Sequence, residues 1–267
     1  MPFLQTNGLQ LHYTEQGSGP PLLLIMGITA PGSVWQKHGE FWAQNFRCLM
    51  PDNRGVGQSD KPAGPYNTAM MADDFAGLLD QLGLAAARVI GCSMGSTIAQ
   101  QLALRHPGKV HSMVLMCPWA RCDRYAAGIF EHMAMQKARL RPEEFAHYIQ
   151  LLIFSKQTWD SDEAYAELVQ SRQLAALEPT PQPLHALEAQ VAACVTHSVL
   201  AELGRVTCPT LVIGGEADIF TPPWMAREVA AGIPRSELHL YPDAGHAFHW
   251  ERINDFNPRV RDWLLAH

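Results

Sequence analysis

The chain lacks the features that mark membrane-spanning, nucleic-acid-binding and secreted proteins. No apolar run approaches the roughly 20 residues that cross a bilayer, and the first residues have neither the basic start nor the long apolar stretch of a signal peptide. Lysines and arginines are scattered, and the net charge is −6 at pH 7. These absences argue against nucleic acid or membrane as a partner and predict a soluble, cytoplasmic protein.

The cysteines likewise lack any pattern of metal binding or disulfide pairing. The six are Cys48, Cys92, Cys117, Cys122, Cys194 and Cys208. None forms a C-x-x-C pair, and none stands at zinc-ligand spacing from a histidine. Most lie in apolar runs, which predicts buried thiols and no metal site.

The composition is that of a protein with a large core. Hydrophobic residues make up 47% of the 267 residues and charged residues 17%, so global disorder is excluded and a single α/β domain with an insertion fits the length. Short apolar strands alternate with amphipathic helices, which predicts a doubly wound, mostly parallel sheet that begins with a hairpin. The predicted strands are residues 3–6, 9–14, 22–26, 47–50, 88–91, 110–117, 209–214 and 237–241. The predicted helices between them are residues 34–44, 68–82, 94–105, 223–231 and 251–265.

One long stretch interrupts this alternation. Residues 119–204 show helical periodicity and no convincing strand. We therefore predict an α/β core in two parts, residues 1–118 and 205–267, with residues 119–204 inserted as a helical cap over one end of the sheet. We call residues 119–204 the cap.

The segment Gly91-Cys92-Ser93-Met94-Gly95 fits the pattern G-x-S-x-G between a predicted strand and a predicted helix. On such a sharp turn the serine takes a strained backbone, its hydroxyl stands above the sheet end, and the glycines leave room. The N–H of Met94, at the helix start, points toward negative charge forming nearby. The context predicts that Ser93 is a nucleophile rather than a serine that only caps the helix.

A serine nucleophile needs a base to take its proton and an acid to orient that base. For a serine on a strand-to-helix turn, the expected chain order is serine, acid, histidine. Asp218 follows the predicted strand 209–214, and His246 follows the strand 237–241. Both would lie beyond the carboxyl ends of strands, where the active sites of open α/β sheets form.

Other side chains compete for these two roles. Glu216 is an alternative acid that could instead be an exposed loop carboxylate, and Asp243 could instead cap a turn. His249 is an alternative base that could also line a pocket or pack at the start of the last helix. The place of Asp218 after the predicted strand 209–214 favours it as the acid. Gly245 favours His246 as the base, because a glycine before the histidine allows the chain to approach tightly there.

Four segments, in this order, carry a resemblance to a known family. They are residues 52–60 (DNRGVGQSD), similar to a D-x-R-G-x-G-x-S loop, residues 91–107 with the nucleophile turn, residues 215–222 with the acid, and residues 245–246. The chain resembles the serine-nucleophile branch of the α/β-hydrolase superfamily over nearly its whole length apart from the cap. Within the superfamily, its sequence pattern is similar to that of 3-oxoadipate enol-lactonase-like hydrolases and small carboxylesterases.

The resemblance implies a site and a chemistry. It implies hydrolysis of a small carboxylic ester or lactone through an acyl-enzyme, with no metal or organic cofactor. The N–H of Ile28 is implied as the second oxyanion donor beside Met94, although Met26-Gly27 stands where relatives often carry His-Gly. Hydrolases of C–C bonds, amides and carbamates share the same triad, as do cofactor-free perhydrolases. Receptor-like members of the family bind a ligand with little turnover. The resemblance leaves open whether the chain forms a homo-oligomer.

The start of the cap offers residues for substrate contact. Trp119, Arg121 and Arg124 follow a predicted strand whose end faces the rim of the expected site. An arginine there could bind a substrate carboxylate through two hydrogen bonds, or could be solvated on a helix face. We add these three residues and His249 to the candidate substrate contacts.

Overall fold

The computed structural model describes residues 2–267, which form an eight-stranded sheet covered by helices on both faces. The strand order in space is β1-β2-β4-β3-β5-β6-β7-β8. The hairpin strands β1 and β2 pair antiparallel, as do β2 and β4, and all other pairs are parallel. The strands are β1 (Phe3–Thr6), β2 (Leu9–Gln16), β3 (Pro21–Ile25), β4 (Arg47–Pro51), β5 (Ala87–Cys92), β6 (Val110–Met116), β7 (Thr210–Gly215) and β8 (Ser236–Tyr241). The predicted α/β fold is confirmed.

Helices connect the strands and form the cap. Outside the cap they are α1 (Gln36–Trp42), α2 (Thr68–Gln81), α3 (Met94–Arg105), α9 (Pro223–Gly232), α10 (Phe248–Glu251) and α11 (Ile253–Ala266). The cap holds α4 (Arg124–Lys137), α5 (Pro142–Ile153), α6 (Lys156–Asp160), α7 (Asp162–Ala175) and α8 (Leu184–Thr196). Between residues 2 and 267, no helix is long and apolar enough to cross a membrane.

The central strand β3 shows why the sheet is covered on both faces. Its apolar run has no polar alternation, as expected of a strand buried on both sides. Leu23 and Ile25 pack into one hydrophobic cluster, whereas Leu22 and Leu24 pack into another. Alternate side chains therefore enter two separate cores, one on each face of the sheet.

The cap lies against loops at the carboxyl end of the sheet. Its Gln182 donates from Nε2 to the carbonyl of Gly55, beyond β4, at 3.1 Å. The carbonyl of Ile153 accepts from the N–H of Ala247, beyond β8, at 2.8 Å. The cap therefore covers the edge of the sheet where the predicted site residues follow their strands.

A buried pair of histidines joins the first helix to the last two. His38 Nδ1 lies 2.6 Å from Asn257 Oδ1, and His249 Nδ1 lies 3.0 Å from His38 Nε2. The rings of Trp35 and Trp42 pack around the pair. Burial lowers the pKa of His38 to about 4 and the pKa of His249 well below its ordinary value.

The neutral histidine pair predicts loss of stability in acid. Unfolded His38 has a pKa near 6.5, so between pH 6.5 and about 4 the unfolded chain binds more protons than the folded one. The free energy of unfolding should therefore fall as the pH falls through this window, by about 3 kcal/mol from His38 alone. Urea unfolding at several pH values measures it. His38→Gln removes the titrating group, and an equally steep pH dependence in this variant would contradict the assignment.

Candidate active site

Ser93 lies on a strained turn between β5 and α3. Its φ of 55° and ψ of −121° fall outside the regions that non-glycine residues favour. Hydrogen bonds hold this conformation, because the N–H of Ser93 donates to Met116 at 2.8 Å and the hydroxyl of Ser96 donates to the Ser93 carbonyl at 2.6 Å. A Cβ at Gly95 would clash with the carbonyl of Ile25, so the first turn of α3 can approach β3 this closely only with glycine at position 95. The structure thus has the strained turn that the motif predicts.

Asp218 and His246 meet beyond the carboxyl ends of β7 and β8. His246 Nδ1 lies 2.8 Å from Asp218 Oδ2, and both residues are buried. The backbone N–H groups of Phe220 and Thr221 donate to Asp218 Oδ1 at 2.8 and 2.9 Å. These donors fix the carboxylate as an acceptor, so His246 donates from Nδ1 and presents Nε2 as its basic nitrogen.

The competing side chains lie elsewhere. Glu216 is exposed and contacts Arg227 at 3.5 Å, and Asp243 is also exposed. His249 is buried against His38 and packs on Trp250, with ring centroids 4.4 Å apart, which is the packing alternative for this residue. Asp218 is therefore the one of the three candidate carboxylates that contacts His246.

Thr221 contacts both members of the pair, although no motif in the sequence pointed to it. Its Oγ1 lies 3.0 Å from Asp218 Oδ2, 3.0 Å from His246 Nδ1 and 3.4 Å from the Cys117 carbonyl. A threonine three residues after an aspartate, in a turn where that aspartate accepts backbone bonds, is the signal that could have identified it.

Cys117 also contacts this pair of residues. Its Sγ donates to the His246 carbonyl at 3.1 Å, and burial raises the pKa of the thiol well above its ordinary value. The donor atoms of Cys117, Asp218 and His246 lie within 4.8 Å of one another. Because a thiol must lose its proton to bind a metal, the raised pKa makes Cys117 a weaker ligand than an exposed cysteine would be.

The loop of residues 26–29 lies directly against the nucleophile turn, and we call it the oxyanion loop after the role predicted for Ile28. A Cβ at Gly27 would lie 3.1 Å from the Cβ of Ser93. The side chain of Met26 packs into the hydrophobic cluster on one face of the sheet, where a polar histidine would not fit without a partner. Met94 is the first residue of α3, where a backbone N–H has no acceptor within the helix. Of the two predicted donors, Met94 follows Ser93 in the chain, and Ile28 follows Gly27, which lies against Ser93.

The three predicted contacts at the start of the cap do not converge on this site. Trp119 is fully buried and packs on Phe130. Arg121 has 57% of its side chain exposed and contacts Glu228 at 3.4 Å, and Arg124 is an exposed residue of α4. The structure offers no support for a carboxylate clamp at these arginines.

A cavity of about 1080 Å³ separates the cap from the core. Its wall includes Thr29 of the oxyanion loop and, from the cap, Phe145, Ile153 and Phe154. Ser93, Asp218 and His246 do not line it. The cavity reaches the site only through neighbours of these residues, since Thr29 follows Ile28, the predicted oxyanion donor, and the Ile153 carbonyl accepts from the N–H of Ala247, just after His246. It adjoins the site without containing it.

Comparison with known proteins identifies a family with this fold. The family model described as alpha/beta hydrolase fold matches residues 20–253. The chain belongs to the α/β-hydrolase family. "Putative non-heme bromoperoxidase BpoC" of Mycobacterium tuberculosis strain H37Rv is 34% identical over 264 residues, which cover 97% of this hydrolase and 98% of that protein.

Two more relatives show how varied the names in this family are. "Putative carbamate hydrolase RutD" of Azorhizobium caulinodans is 27% identical over 248 residues, covering 93% of this α/β hydrolase and 92% of that protein. The crystal structure of the enol-lactonase from Burkholderia xenovorans LB400 superposes with a TM-score of 0.88 at 26% identity, covering 99% of this chain and 100% of that one. The similarity spans the cap as well as the core, and it identifies a hydrolase enzyme family.

The crowding at the nucleophile turn predicts opposite effects of one substitution at two glycines. Gly95→Ala should lower the free energy of unfolding by at least about 2 kcal/mol, because the added methyl meets the Ile25 carbonyl. Gly128→Ala, in the exposed face of α4 with open space around it, should raise that free energy by about 0.5–1 kcal/mol. Urea unfolding of both variants measures the contrast, and equal effects would contradict the close approach.

Proposed function

We propose that this α/β hydrolase is a serine hydrolase that cleaves a small carboxylic ester or lactone through an acyl-enzyme. The observation that carries the proposal is the buried hydrogen bond between His246 and Asp218, which follow β8 and β7 at the same edge of the sheet as a serine on a strained strand-to-helix turn. The similarity to a solved enol-lactonase supports the ester or lactone class. The six unpaired cysteines of this chain also support a cytoplasmic location, where thiols are kept reduced.

The first half of the reaction forms the acyl-enzyme. His246 takes the hydroxyl proton of Ser93 on Nε2, and Ser93 Oγ attacks the carbonyl carbon of the substrate. The N–H groups of Ile28 and Met94 donate to the oxygen as it becomes negative. Asp218 stabilises the positive imidazole through Nδ1. The tetrahedral adduct then expels the alkoxide, which takes the proton from His246.

The second half releases the acid. Water gives a proton to His246 Nε2 as its oxygen attacks the acyl carbon, and the proton returns to Ser93 Oγ when that bond breaks. With a lactone, the hydroxyl formed first stays on the acyl group, so the product is one hydroxy acid. In this structure Ser93 Oγ has no hydrogen-bond partner among residues 2–267, which leaves the hydroxyl able to turn toward His246.

A second candidate reaction starts from the same acyl-enzyme. The relative that is 34% identical carries the name of a non-heme bromoperoxidase, and hydrogen peroxide can replace water as the attacking species. Its oxygen would bond to the acyl carbon, its proton would pass to His246, and a peroxy acid would leave Ser93. Formation of peroxy acid from an ester and hydrogen peroxide, lost in Ser93→Ala, tests this candidate.

Substitution of the acid tests the assignment of the triad. Asp218→Asn should lower the turnover of p-nitrophenyl acetate by up to about 10⁴-fold, because an amide cannot stabilise the positive imidazole or fix its tautomer. Glu216→Gln is the matched control, since that carboxylate is exposed and contacts Arg227, and its rate should equal that of the wild type. An unchanged rate in Asp218→Asn would move the acid role to another residue.

The contacts of Thr221 predict a smaller effect on the same reaction. Thr221→Val removes the hydroxyl near Asp218 Oδ2 and should lower kcat about tenfold, as expected for one hydrogen bond to a charged group. Thr210→Val removes a buried hydroxyl at the start of β7, which contacts the Cys208 carbonyl just before that strand, and should leave kcat unchanged. Initial rates with p-nitrophenyl acetate measure both, and equal losses would show a general effect on stability.

A further inference from the structure

The oxyanion loop is held from the cap as well as from the core. We propose that Gln190 of the cap helix α8 is a positioning residue, which sets the backbone of the oxyanion loop through its hydrogen bond to Thr29. The inference rests on the proposed function, because it concerns the N–H group of Ile28 that would bind the oxyanion. It gives the cap a part in the reaction beyond shaping a cavity.

The backbone of the oxyanion loop needs external support. Thr29 has a φ of 68°, a left-handed conformation that β-branched residues rarely adopt. Strain of this kind costs on the order of 1–3 kcal/mol and persists only where surrounding contacts hold it. Thr29 follows Ile28 directly, so a relaxation of its backbone would displace Ile28 and its N–H group.

Gln190 supplies that support with both ends of its amide. The side chain is fully buried, and its Oε1 accepts from the N–H of Thr29 at 3.1 Å. The same oxygen accepts from Gln182 Nε2 at 3.0 Å, and Gln190 Nε2 donates to the Arg54 carbonyl at 2.9 Å. Because the Thr29 N–H can only donate and the Arg54 carbonyl can only accept, the amide has one orientation that satisfies both.

The group that anchors Gln190 is itself rigid. The guanidinium of Arg54 binds both carboxylate oxygens of Asp74, each at 2.6 Å, and both side chains are buried. A bidentate pair of this kind fixes the position and angle of the arginine. Gln190 therefore holds Thr29 against a fixed point of the core and not against a mobile surface loop.

A second side chain holds the other end of the oxyanion loop. Asn53, 1% exposed, donates from Nδ2 to the carbonyl of Met26 at 2.7 Å. Gly27 and Ile28 thus lie between a bond from the core at Met26 and a bond from the cap at Thr29. A displacement of α8 would release one end of the loop while the core bond remained.

The test uses the near-isosteric variant Gln190→Met and a probe that needs no known substrate. A fluorophosphonate reacts with an activated serine, and its P=O oxygen takes the place of the oxyanion. The second-order rate of Ser93 phosphonylation should fall about 10–100-fold in Gln190→Met, part of the 10²–10³-fold loss expected when a whole donor is removed. With p-nitrophenyl acetate, kcat should fall while KM stays within about threefold, as expected for contacts made in the transition state.

Thr68→Val is the matched control for a lost contact between cap and core. Thr68 Oγ1 lies 2.9 Å from His197 Nδ1, both residues are buried, and the contact joins α2 to the chain just after α8. Its phosphonylation rate should stay within about twofold of wild type. If Gln190→Met reacts as fast as wild type, or if Thr68→Val is slowed equally, the positioning role is overturned.

Gln190→Glu separates the bond to Thr29 from packing and serves if the methionine variant fails to fold. The carboxylate keeps an oxygen that can accept from Thr29 but loses the donor to Arg54. Ser93 should therefore be phosphonylated faster in Gln190→Glu than in Gln190→Met. If only Gln190→Glu can be measured, its rate should lie within about tenfold of wild type. A greater slowing would contradict the role of the Thr29 bond.

If wild type itself is not labelled at Ser93, the proposed function fails. Labelling of wild type with unaffected Gln190 variants overturns only the present inference.

Discussion

The structure around the site depends on the contact between the nucleophile turn and the end of β3. Gly95 comes so close to the Ile25 carbonyl, and Gly27 to Ser93, that the chain after β3 and the start of α3 occupy one small volume. This contact is possible because β3 and β5 are adjacent parallel strands whose carboxyl ends lie at the same edge. The strained backbone of Ser93 is then held by bonds to neighbouring strands and to its own helix.

The cap takes part in this arrangement through directional bonds. Gln190 reaches the oxyanion loop, and the carboxylate of Glu251 accepts from the N–H groups of Ser155 and Gly245 at 2.7 Å each. Gly245 precedes His246, so the cap contacts both loops that the proposed mechanism uses. Gln190 is buried and Glu251 is half-buried. Their hydrogen bonds fix geometry better than apolar contacts would, since hydrogen bonds are directional and apolar packing is not.

The sequence predicted most of the fold and the central pair of the site, and it missed the residues that depend on long-range contacts. Strands and helices follow from apolar periodicity, and Asp218 and His246 follow from their place after strands. Thr221 and Gln190 carry no local pattern, because a threonine in a turn or a glutamine in a helix is ordinary until its partners are known. Arg121 shows the reverse, since its place in the chain suggested a substrate contact and its side chain faces solvent.

By itself the sequence determined the alternation of strands and helices, the strained turn at Ser93 and the places of Asp218 and His246 just after strands, because these depend on local backbone preferences and on apolar periodicity. Only the tertiary structure decided which side chains meet, such as His249 with His38 rather than with a pocket, and Gln190 with Thr29 across 161 positions of the chain. The physical reason is that a hydrogen bond needs its two atoms within about 3 Å of each other, and no local pattern specifies which distant segments come that close.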